Sequence, residues 1–210
     1  MDLEVALRES AARARRWAAK HGRTFPWRTG TDYEVAVAEV LLQKTRGEAV
    51  AAIWSEVLRR YPSPDRLGRA RVDSLRRVVA PLGLGEQRSR RLIAMARSWG
   101  DSSPDALGPY GTAVLALSRG ERPATVPVDG NVARVIQRHE GWAWERGEPR
   151  KKPELRIAVS DWLSGSPAVA LRTLYALVDL GALVCTPRNP KCPSCPLRGT
   201  CASATVFLPS

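Results

Sequence analysis

The sequence predicts an all-α protein, and three observations support this fold class. Apolar residues recur at the helical spacing of three and four along most of the chain, whereas the alternation typical of strands is almost absent. Clusters of glycine and proline separate the helical segments. A length of 210 residues with 44% hydrophobic residues is enough for one large domain, or two small ones, with a buried core.

The helical segments follow one another from the N-terminus. The first covers residues 3–20 and carries Leu3, Leu7 and Ala11 on one face. A loop at 26–32 ends in Asp32, the expected N-cap of the next helix, which contains Glu39. Further helices are predicted at 48–60, 71–80, 86–99, 112–118, 130–139, 153–164 and 168–181. Residues 182–210 are too rich in proline and cysteine to be helical throughout.

The chain is strongly basic, with 33 Lys+Arg against 21 Asp+Glu and a net charge of +12. Such an excess is typical of proteins that bind a polyanion, either nucleic acid or an anionic membrane surface. The sequence has no run of 18 apolar residues, and its first ten residues lack the pattern of a signal peptide. We therefore expect a cytoplasmic protein that binds nucleic acid and no membrane.

All four cysteines lie near the C-terminus and indicate a metal-binding loop: Cys185, Cys192, Cys195 and Cys201. Their spacing is C-x6-C-x2-C-x5-C, and in a reducing compartment such a group indicates metal ligands rather than disulfides. Four-cysteine zinc sites usually combine two close pairs, whereas here only one pair is close. The staggered gaps favour a [4Fe–4S] cluster, with zinc as the alternative.

The cysteines belong to a series of motifs along nearly the whole chain. These are FPWR at 25–28, AEVLLQKT at 38–45, GPY at 108–110, VDGNVARV at 128–135 and LGALVCTPRNPKCPSCPLRGTC at 180–201. In this order they resemble the endonuclease III and MutY family of helix-hairpin-helix (HhH-GPD) DNA glycosylases. The resemblance implies a six-helix barrel domain at 24–130 and a cluster domain built from 1–23 and 131–210, with its loop at 185–201. It also implies a monomer with double-stranded DNA, carrying a mispaired or damaged base, across the cleft.

The resemblance assigns catalysis to two carboxylates. Glu39 matches the Glu that, in MutY-type enzymes, protonates the leaving base or organises its water. Burial among apolar neighbours should raise its pKa, as a general acid near neutral pH requires. Asp129 matches the Asp whose charge stabilises the sugar as the N-glycosidic bond breaks. The alternatives are an ion pair at the helix edge for Glu39 and a helix N-cap for Asp129.

Tyr110 occupies the position at which bifunctional members carry a Lys that attacks the sugar as a Schiff-base nucleophile. The resemblance therefore implies base excision without strand cleavage. The local match is imperfect, because Ala106-Leu107-Gly108 replaces the usual G-V-G and one residue fewer follows Tyr110. The alternative for Tyr110 is packing in the core beside Pro109.

DNA contacts are implied for two loops, a hairpin and the cluster loop. Such loops insert into the minor groove while the target nucleotide is flipped outward, and a hairpin glycine lets the backbone approach a phosphate. The matching residues are Gln43, Lys44, Gly83, Gly85, Glu86, Gln87 and Gly108, and the alternative for the two loops is an ordinary glycine-rich turn and a solvated helix end. The basic residues of the cluster loop suit a phosphate contact, with a merely solvated surface as the alternative: Arg188, Lys191 and Arg198. Arg28 and Trp27 are candidates for lining the base pocket.

The prediction of which base is removed depends on fewer residues. Adenine-removing members usually carry a second Glu ten residues before the first cluster cysteine, where this chain has Tyr175, a further base-pocket candidate. The stretch PLGLGEQRSRRLIAMAR instead resembles thymine mismatch glycosylases, so we expect removal of T or U opposite G. The alternatives are an adenine glycosylase acting opposite G or 8-oxoguanine without a NUDIX-like domain, and a glycosylase for another modified base. A non-catalytic DNA-binding scaffold and a cluster-bearing electron carrier complete the alternatives.

Overall fold

The computed structural model describes residues 3–101, 104, 106–143 and 148–205. This part of the chain contains α-helices and 3-10 turns but no β-strand, which confirms the all-α prediction. The helices are α1 (Leu3–His21), α2 (Asp32–Leu41), α3 (Gly47–Arg60), α4 (Pro64–Gly68), α5 (Val72–Val79), α6 (Gly85–Arg97), α7 (Gly108–Ser118), α8 (Gly130–His139), α9 (Pro153–Trp162) and α10 (Pro167–Leu183). No single helix described here is long and apolar enough to cross a membrane; α9 and α10 meet that test only as a pair, bent by 118°.

Two helices have in their first turn a proline that the sequence pattern assigns to a turn between helices. The pattern predicts a helix over 112–118, but α7 begins at Gly108, and α4 is not predicted at all. In both helices a proline, Pro64 or Pro109, lies in the first turn, where its missing N–H costs no hydrogen bond and its fixed φ suits the helix. Ser63 also caps α4 by accepting from the Arg66 N–H at 3.3 Å.

The chain divides into two compact units. Residues 24–119 form the middle unit, and residues 1–23 with 120–210 form the terminal unit. The sequence assigns 120–130 to the barrel domain, whereas in the structure this segment belongs to the terminal unit. This segment belongs to the terminal unit because it leads directly into α8, which packs against α10 of that unit.

The centre of the middle unit is α2, whose start is fixed by a capping box at Thr31; the prediction of Asp32 as the N-cap is wrong by one residue, because Asp32 is the first residue of the helix. The Thr31 hydroxyl accepts from the Glu34 N–H at 3.4 Å, and the Glu34 carboxylate accepts from the Thr31 N–H at 2.6 Å. Every residue from 35 to 41 is buried. A helix enclosed on all sides holds its one internal carboxylate, Glu39, in a fixed place.

Helices α5 and α6 pack as a pair against this core. Leu75 and Val79 of α5 and Leu92 and Met95 of α6 are fully buried. The turn that joins them ends in Gly83 and Leu84, with φ of 72° and 52°. A left-handed backbone is unusual for a leucine, because its Cβ crowds the neighbouring carbonyl.

In the terminal unit, α1 packs against α10, and a buried ion pair fixes the chain just beyond α1. The fully buried Asp179 accepts from the Arg23 Nε and from the Arg23 backbone N–H, both at 2.9 Å. Helix α10 also packs closely on α8. A Cβ on Gly181 would fall 2.5 Å from the Asn131 Cβ, so only glycine allows this approach.

We expect Asp179→Ala to lower the free energy of unfolding by about 3 kcal/mol, because it removes the acceptor of two hydrogen bonds in a buried place. Arg8→Ala, which breaks an exposed pair with Glu4, should change it by less than about 0.5 kcal/mol. Urea denaturation followed by circular dichroism, at matched cluster content, measures both. Equal losses would contradict the role of Asp179.

Candidate active site and cluster loop

Glu39 lies on α2 with 9% of its surface exposed, and α7 runs antiparallel beside it. At the start of α2 and the end of α7, the Ser118 hydroxyl donates to Asp32 at 2.8 Å. At the other end Gly111 packs against Glu39, where an added Cβ would fall 3.3 Å from the Glu39 Cβ. The packing of these two helices therefore fixes Glu39 beside the first turn of α7.

Tyr110 lies in that first turn, directly before Gly111, and is half-buried. The turn begins at Gly108, which has φ of 70° and open space around its α-carbon. The residue before it, Leu107, has no side-chain acceptor for the first N–H groups of the helix. Free N–H groups at a helix start suit a phosphate, and the phosphate contact of this hairpin stays a prediction.

Gln43 lies in the first loop (residues 42–46) between α2 and α3, and its amide is engaged within the protein. The Gln43 Nε2 donates to the Ala106 carbonyl at 2.9 Å, and the Oε1 accepts from Arg91 of α6. The structure joins Gln43 to the hairpin (residues 106–108) and to α6, and its contact with DNA stays a prediction. The next residue, Lys44, is exposed and has a left-handed φ of 58°.

The second loop (residues 80–84) and the first turn of α6 carry the other residues predicted to meet the minor groove. Gly83 has open space around it, whereas a Cβ on Gly85 would come within 3.0 Å of a neighbouring side chain. Glu86 forms an ion pair with Arg90 at 2.8 Å, and this hydrogen bond lowers the pKa of the Glu86 carboxyl. Gln87 is exposed and lines grooves on both sides of Leu84.

Leu84 and Arg88 lie within the predicted minor-groove loop but are not among its predicted DNA contacts, and the structure distinguishes both of them. Leu84 is 60% exposed, although it is a large apolar residue. Arg88 is only 5% exposed, and its guanidinium donates to the Leu41 carbonyl at 2.8 Å, to the Gly83 carbonyl at 2.9 Å and to the Thr45 hydroxyl. Helical spacing could have identified Arg88, because it lies four residues before a buried leucine of the same helix.

Trp27 and Arg28, the predicted base-pocket residues of the middle unit, both pack on aromatic rings. Trp27 is 3% exposed, stacks on Phe25 at a centroid distance of 4.7 Å and meets Trp54 edge-on at 5.2 Å. Core packing therefore accounts for Trp27 without a bound base. Arg28 is half-buried, with its guanidinium 5.3 Å from the centre of the Phe25 ring in a cation–π contact.

Asp129 of the terminal unit is the N-cap of α8, so the alternative role named for it is present. Its Oδ1 accepts from the Val132 N–H at 2.7 Å, and its Oδ2 accepts from the Asn131 amide at 3.1 Å. The Asn131 side chain is held in turn by Arg134, which donates to its Oδ1 at 2.8 Å. These hydrogen bonds fix the orientation of the Asp129 carboxylate.

Arg134, which sequence analysis also missed, connects this cap to the cluster loop. Its Nε donates to the Cys185 carbonyl at 2.7 Å, and its Nη2 donates to the Gly181 carbonyl at 2.7 Å. Its Nη1 donates to the Gly130 carbonyl at 3.1 Å. The start of α8, the end of α10 and the first cluster cysteine are therefore joined through one side chain.

The four cysteines of residues 185–201 line a single small cavity of about 30 Å³. Burial raises the pKa of the Cys195 thiol to about 11 and also raises the pKa of the Cys201 thiol, so thiolates there need positive charge beside them. Within the residues described, no three His, Cys, Asp or Glu side chains are placed to hold a single metal ion.

Arg138 holds the first part of the loop. Its Nη1 lies 3.4 Å from the Cys185 Sγ and donates to the Thr186 carbonyl at 2.8 Å, and its Nη2 donates to the Pro187 carbonyl at 2.9 Å. Its spacing of four residues from Arg134 places both arginines on one face of α8. The predicted DNA contacts of the loop are all exposed: Arg188, Lys191 and Arg198.

Comparison with known proteins identifies the family. Residues 37–158 match the HhH-GPD superfamily of base excision DNA repair proteins. A thymine-DNA glycosylase of Aeropyrum pernix is 30% identical over 200 residues, which cover 88% of this chain and 89% of that protein. The chain belongs to the HhH-GPD superfamily. The solved structure of a thermostable thymine-DNA glycosylase has the same fold, with a TM-score of 0.83 at 24% identity over 98% of this chain and all of the other.

A second family match explains the cysteines of this HhH-GPD protein. Residues 185–201 match the iron–sulfur binding domain of endonuclease III, which confirms the predicted [4Fe–4S] cluster over the zinc alternative. The observed site fits the cluster, because four thiols surround one cavity and the buried thiolates need the positive charge that iron provides. All four cysteines lie within the matched segment, and Cys185, Cys192, Cys195 and Cys201 remain the predicted ligands of the cluster.

The HhH-GPD relatives also include enzymes for another base. An adenine DNA glycosylase of Mycobacterium tuberculosis is 31% identical over 196 residues, which cover 86% of this chain but 63% of that protein. Tyr175, at the position where a second Glu is expected in adenine-removing enzymes, is half-buried on α10. Membership of the superfamily by itself therefore leaves two candidate target bases.

We expect Arg138→Ala to lose the cluster about tenfold faster under a chelator, because the hydrogen bonds that hold residues 185–187 are removed. Arg188→Ala is the matched control, since Arg188 is an exposed arginine of the same loop, and it should keep its cluster. Iron content and visible absorbance over time measure the loss. Equal rates in the two variants would show that Arg138 does not support the loop.

Proposed function

We propose that this protein is a monofunctional DNA glycosylase that removes thymine or uracil opposite guanine, acting as a monomer on double-stranded DNA. The observation that carries the proposal is the similarity to a thymine-DNA glycosylase over nearly the full length of both chains. Uracil lacks only the methyl group of thymine, so a pocket that admits thymine also admits uracil. The net charge of +12 supports binding to the phosphate backbone.

Asp129 supplies negative charge to the sugar. Breaking the N-glycosidic bond leaves positive charge on the deoxyribose, which a nearby carboxylate stabilises. The hydrogen bonds from Val132 and Asn131 fix the carboxylate in advance, so it need not reorient as the charge develops. The same carboxylate takes the proton of the attacking water, whose oxygen forms the new bond to the sugar.

Glu39 acts on the leaving base. A pyrimidine leaves more readily when a proton reaches it as the bond breaks, and Glu39 is the carboxyl group of α2 that donates this proton. Its position is set by Gly111, which packs against it, and by the capping box that fixes the start of α2. The first turn of α7, with Tyr110, lies beside it.

The DNA strand stays intact because position 110 is a tyrosine. A lysine there would form a Schiff base with the sugar and lead to strand cleavage, which a phenol cannot do. None of the five lysines of the chain lies on α7: they are Lys20, Lys44, Lys151, Lys152 and Lys191. The product is therefore an abasic site in an uncut strand.

The exposed Leu84 is the wedge that enters the base stack. Minor-groove proteins insert apolar side chains between bases and hold the nucleotide outside the helix. Leu84 is 60% exposed at the tip of the α5–α6 turn, and Lys44 lines the groove beside it. Gly108, at the start of α7, allows the phosphate backbone to approach closely.

The test uses cluster-loaded protein and duplexes that contain G:T, G:U, 8-oxoG:A, G:A or no lesion. Cleavage at T or U opposite G that appears only after hot alkali is the expected result, with Glu39→Gln as an inactive control. Cleavage without alkali would contradict the monofunctional assignment. Cleavage at A would instead support the second candidate, an adenine glycosylase, which the similarity to adenine DNA glycosylases favours.

Asp129→Asn separates capping from catalysis. Asn caps helices as well as Asp, so the fold should be retained, while the loss of charge should slow excision about 1,000-fold. Single-turnover excision and thermal unfolding measure the two effects, and Asp161→Asn, an exposed Asp on α9, is the matched control. An unchanged rate would limit Asp129 to a structural cap.

A further inference from the structure

We propose that Glu86 determines which base is accepted opposite the target, by taking hydrogen bonds from the N1–H and 2-amino groups of the guanine that is left unpaired. The inference rests on the proposed function and deepens it, because it assigns how the opposing base is identified. The sequence predicts Glu86 as a residue of a DNA-binding loop, without a partner on the DNA.

Glu86 is an acidic residue in a basic region. The first loop, the second loop, the hairpin and α6 contain no other Asp or Glu, although they carry several Lys and Arg. Repulsion from the phosphates disfavours a carboxylate beside DNA unless a hydrogen-bond donor of the DNA compensates for it. An exposed Glu86 in the first turn of α6 is therefore suited to a base that offers such donors.

The Glu86 carboxylate is ionised and has one oxygen open. The Arg90 Nη2 and Nε donate to it at 2.8 and 3.1 Å, and both hydrogen bonds go to the Oε1. These bonds and the charges of Arg90 and Arg76 lower the pKa of the Glu86 carboxyl. In the described part of the chain no group donates to the Oε2. Because each carboxylate oxygen has two lone pairs, both oxygens can still accept from a ligand.

Two grooves flank Leu84, the proposed wedge, and Glu86 lies in one of them. The other groove is lined by Val40, the neighbour of Glu39 on α2, so it lies on the side of the proposed acid for the target base. The groove of Glu86, of about 660 Å³, is lined by Arg76 of α5 and is wide enough to admit the edge of a base. A wedge between the two grooves therefore directs Glu86 to the base of the opposite strand.

Guanine is the base whose donors match a carboxylate in this place. In the minor groove only guanine presents a donor, its 2-amino group. Once the partner base has been flipped out, the adjacent N1–H is also free, and two neighbouring donors fit the two oxygens of one carboxylate. Adenine has an acceptor at N1 and no 2-amino group, so it would be repelled. Glu86 therefore favours thymine opposite guanine over the far commoner thymine opposite adenine.

Replacing guanine by hypoxanthine as the opposing base tests this role. Hypoxanthine lacks only the 2-amino group, and its wobble pair with thymine has the same two hydrogen bonds as the G:T pair. In single-turnover reactions, the unaltered cluster-loaded protein should excise thymine about tenfold faster opposite guanine than opposite hypoxanthine. Glu86→Ala should reduce this ratio to about twofold or less, and Glu86→Gln, which retains one acceptor, should give an intermediate ratio. Glu56→Gln is the matched control, because Glu56 of α3 is also paired with arginines of its own helix, and it should keep the full ratio.

Two results would overturn the role of Glu86. One is a ratio of about one in the unaltered protein. The other is a ratio that Glu86→Ala leaves unchanged while excision rises or falls equally on both duplexes, since a change of charge beside DNA acts on both alike.

A binding measurement separates this inference from the proposed function. Fluorescence anisotropy with a tetrahydrofuran abasic analogue opposite guanine or hypoxanthine measures the same preference without excision, so an inactive variant is still informative. A preference for guanine that Glu86→Ala removes would support the role of Glu86. If the same unaltered protein excised neither thymine nor uracil opposite guanine, only the proposed function would fail.

Discussion

The hydrogen bonds of Arg134 are the interaction on which the terminal unit depends. One guanidinium donates to the carbonyls of Cys185 and Gly181 and to the Asn131 side chain. Asn131 in turn donates to Asp129. A planar group with five donors can satisfy acceptors in several directions at once, which an ammonium on a flexible stem cannot do with the same rigidity. The backbone of the first cluster ligand and the direction of the Asp129 carboxylate are therefore linked through two side chains.

Arginine also binds backbone carbonyl groups in the middle unit, which gives the high arginine content of the chain a second explanation. The chain has 28 arginines and five lysines, an excess that the sequence relates to a polyanionic partner. Arg88, however, is buried and binds carbonyl groups, and Arg134 and Arg138 do so beside the cluster loop. The preference for arginine over lysine thus has an internal cause as well, because backbone carbonyls at loop junctions need several donors from one side chain.

Local interactions were predictable from the sequence, and interactions between distant segments were not. Asp129 as a cap and the helix that holds Glu39 follow from residues within four positions of each other, so the pattern contains them. Helix α4 was not predicted and the start of α7 was placed too late, because a proline is found both in turns and in the first turn of a helix. The hydrogen bonds of Gln43 reach partners that are 48 and 63 residues away in the sequence. No local pattern specifies which side chains and carbonyl groups meet across such distances.

Leu84 is a residue whose type fits neither its backbone conformation nor its exposure, and such a mismatch indicates a functional position. A position with a left-handed backbone favours glycine or asparagine, and a 60% exposed position favours a polar side chain. Leucine satisfies neither preference, although Gly83 and Gly85 on either side show that small residues are accepted nearby. The strain is sustained by the Arg88 bonds to the adjacent carbonyls, so the structure maintains an apolar side chain in a place that costs it stability. Such a side chain gains contacts only when an apolar surface meets it, and in the proposed function the faces of stacked bases would provide that surface.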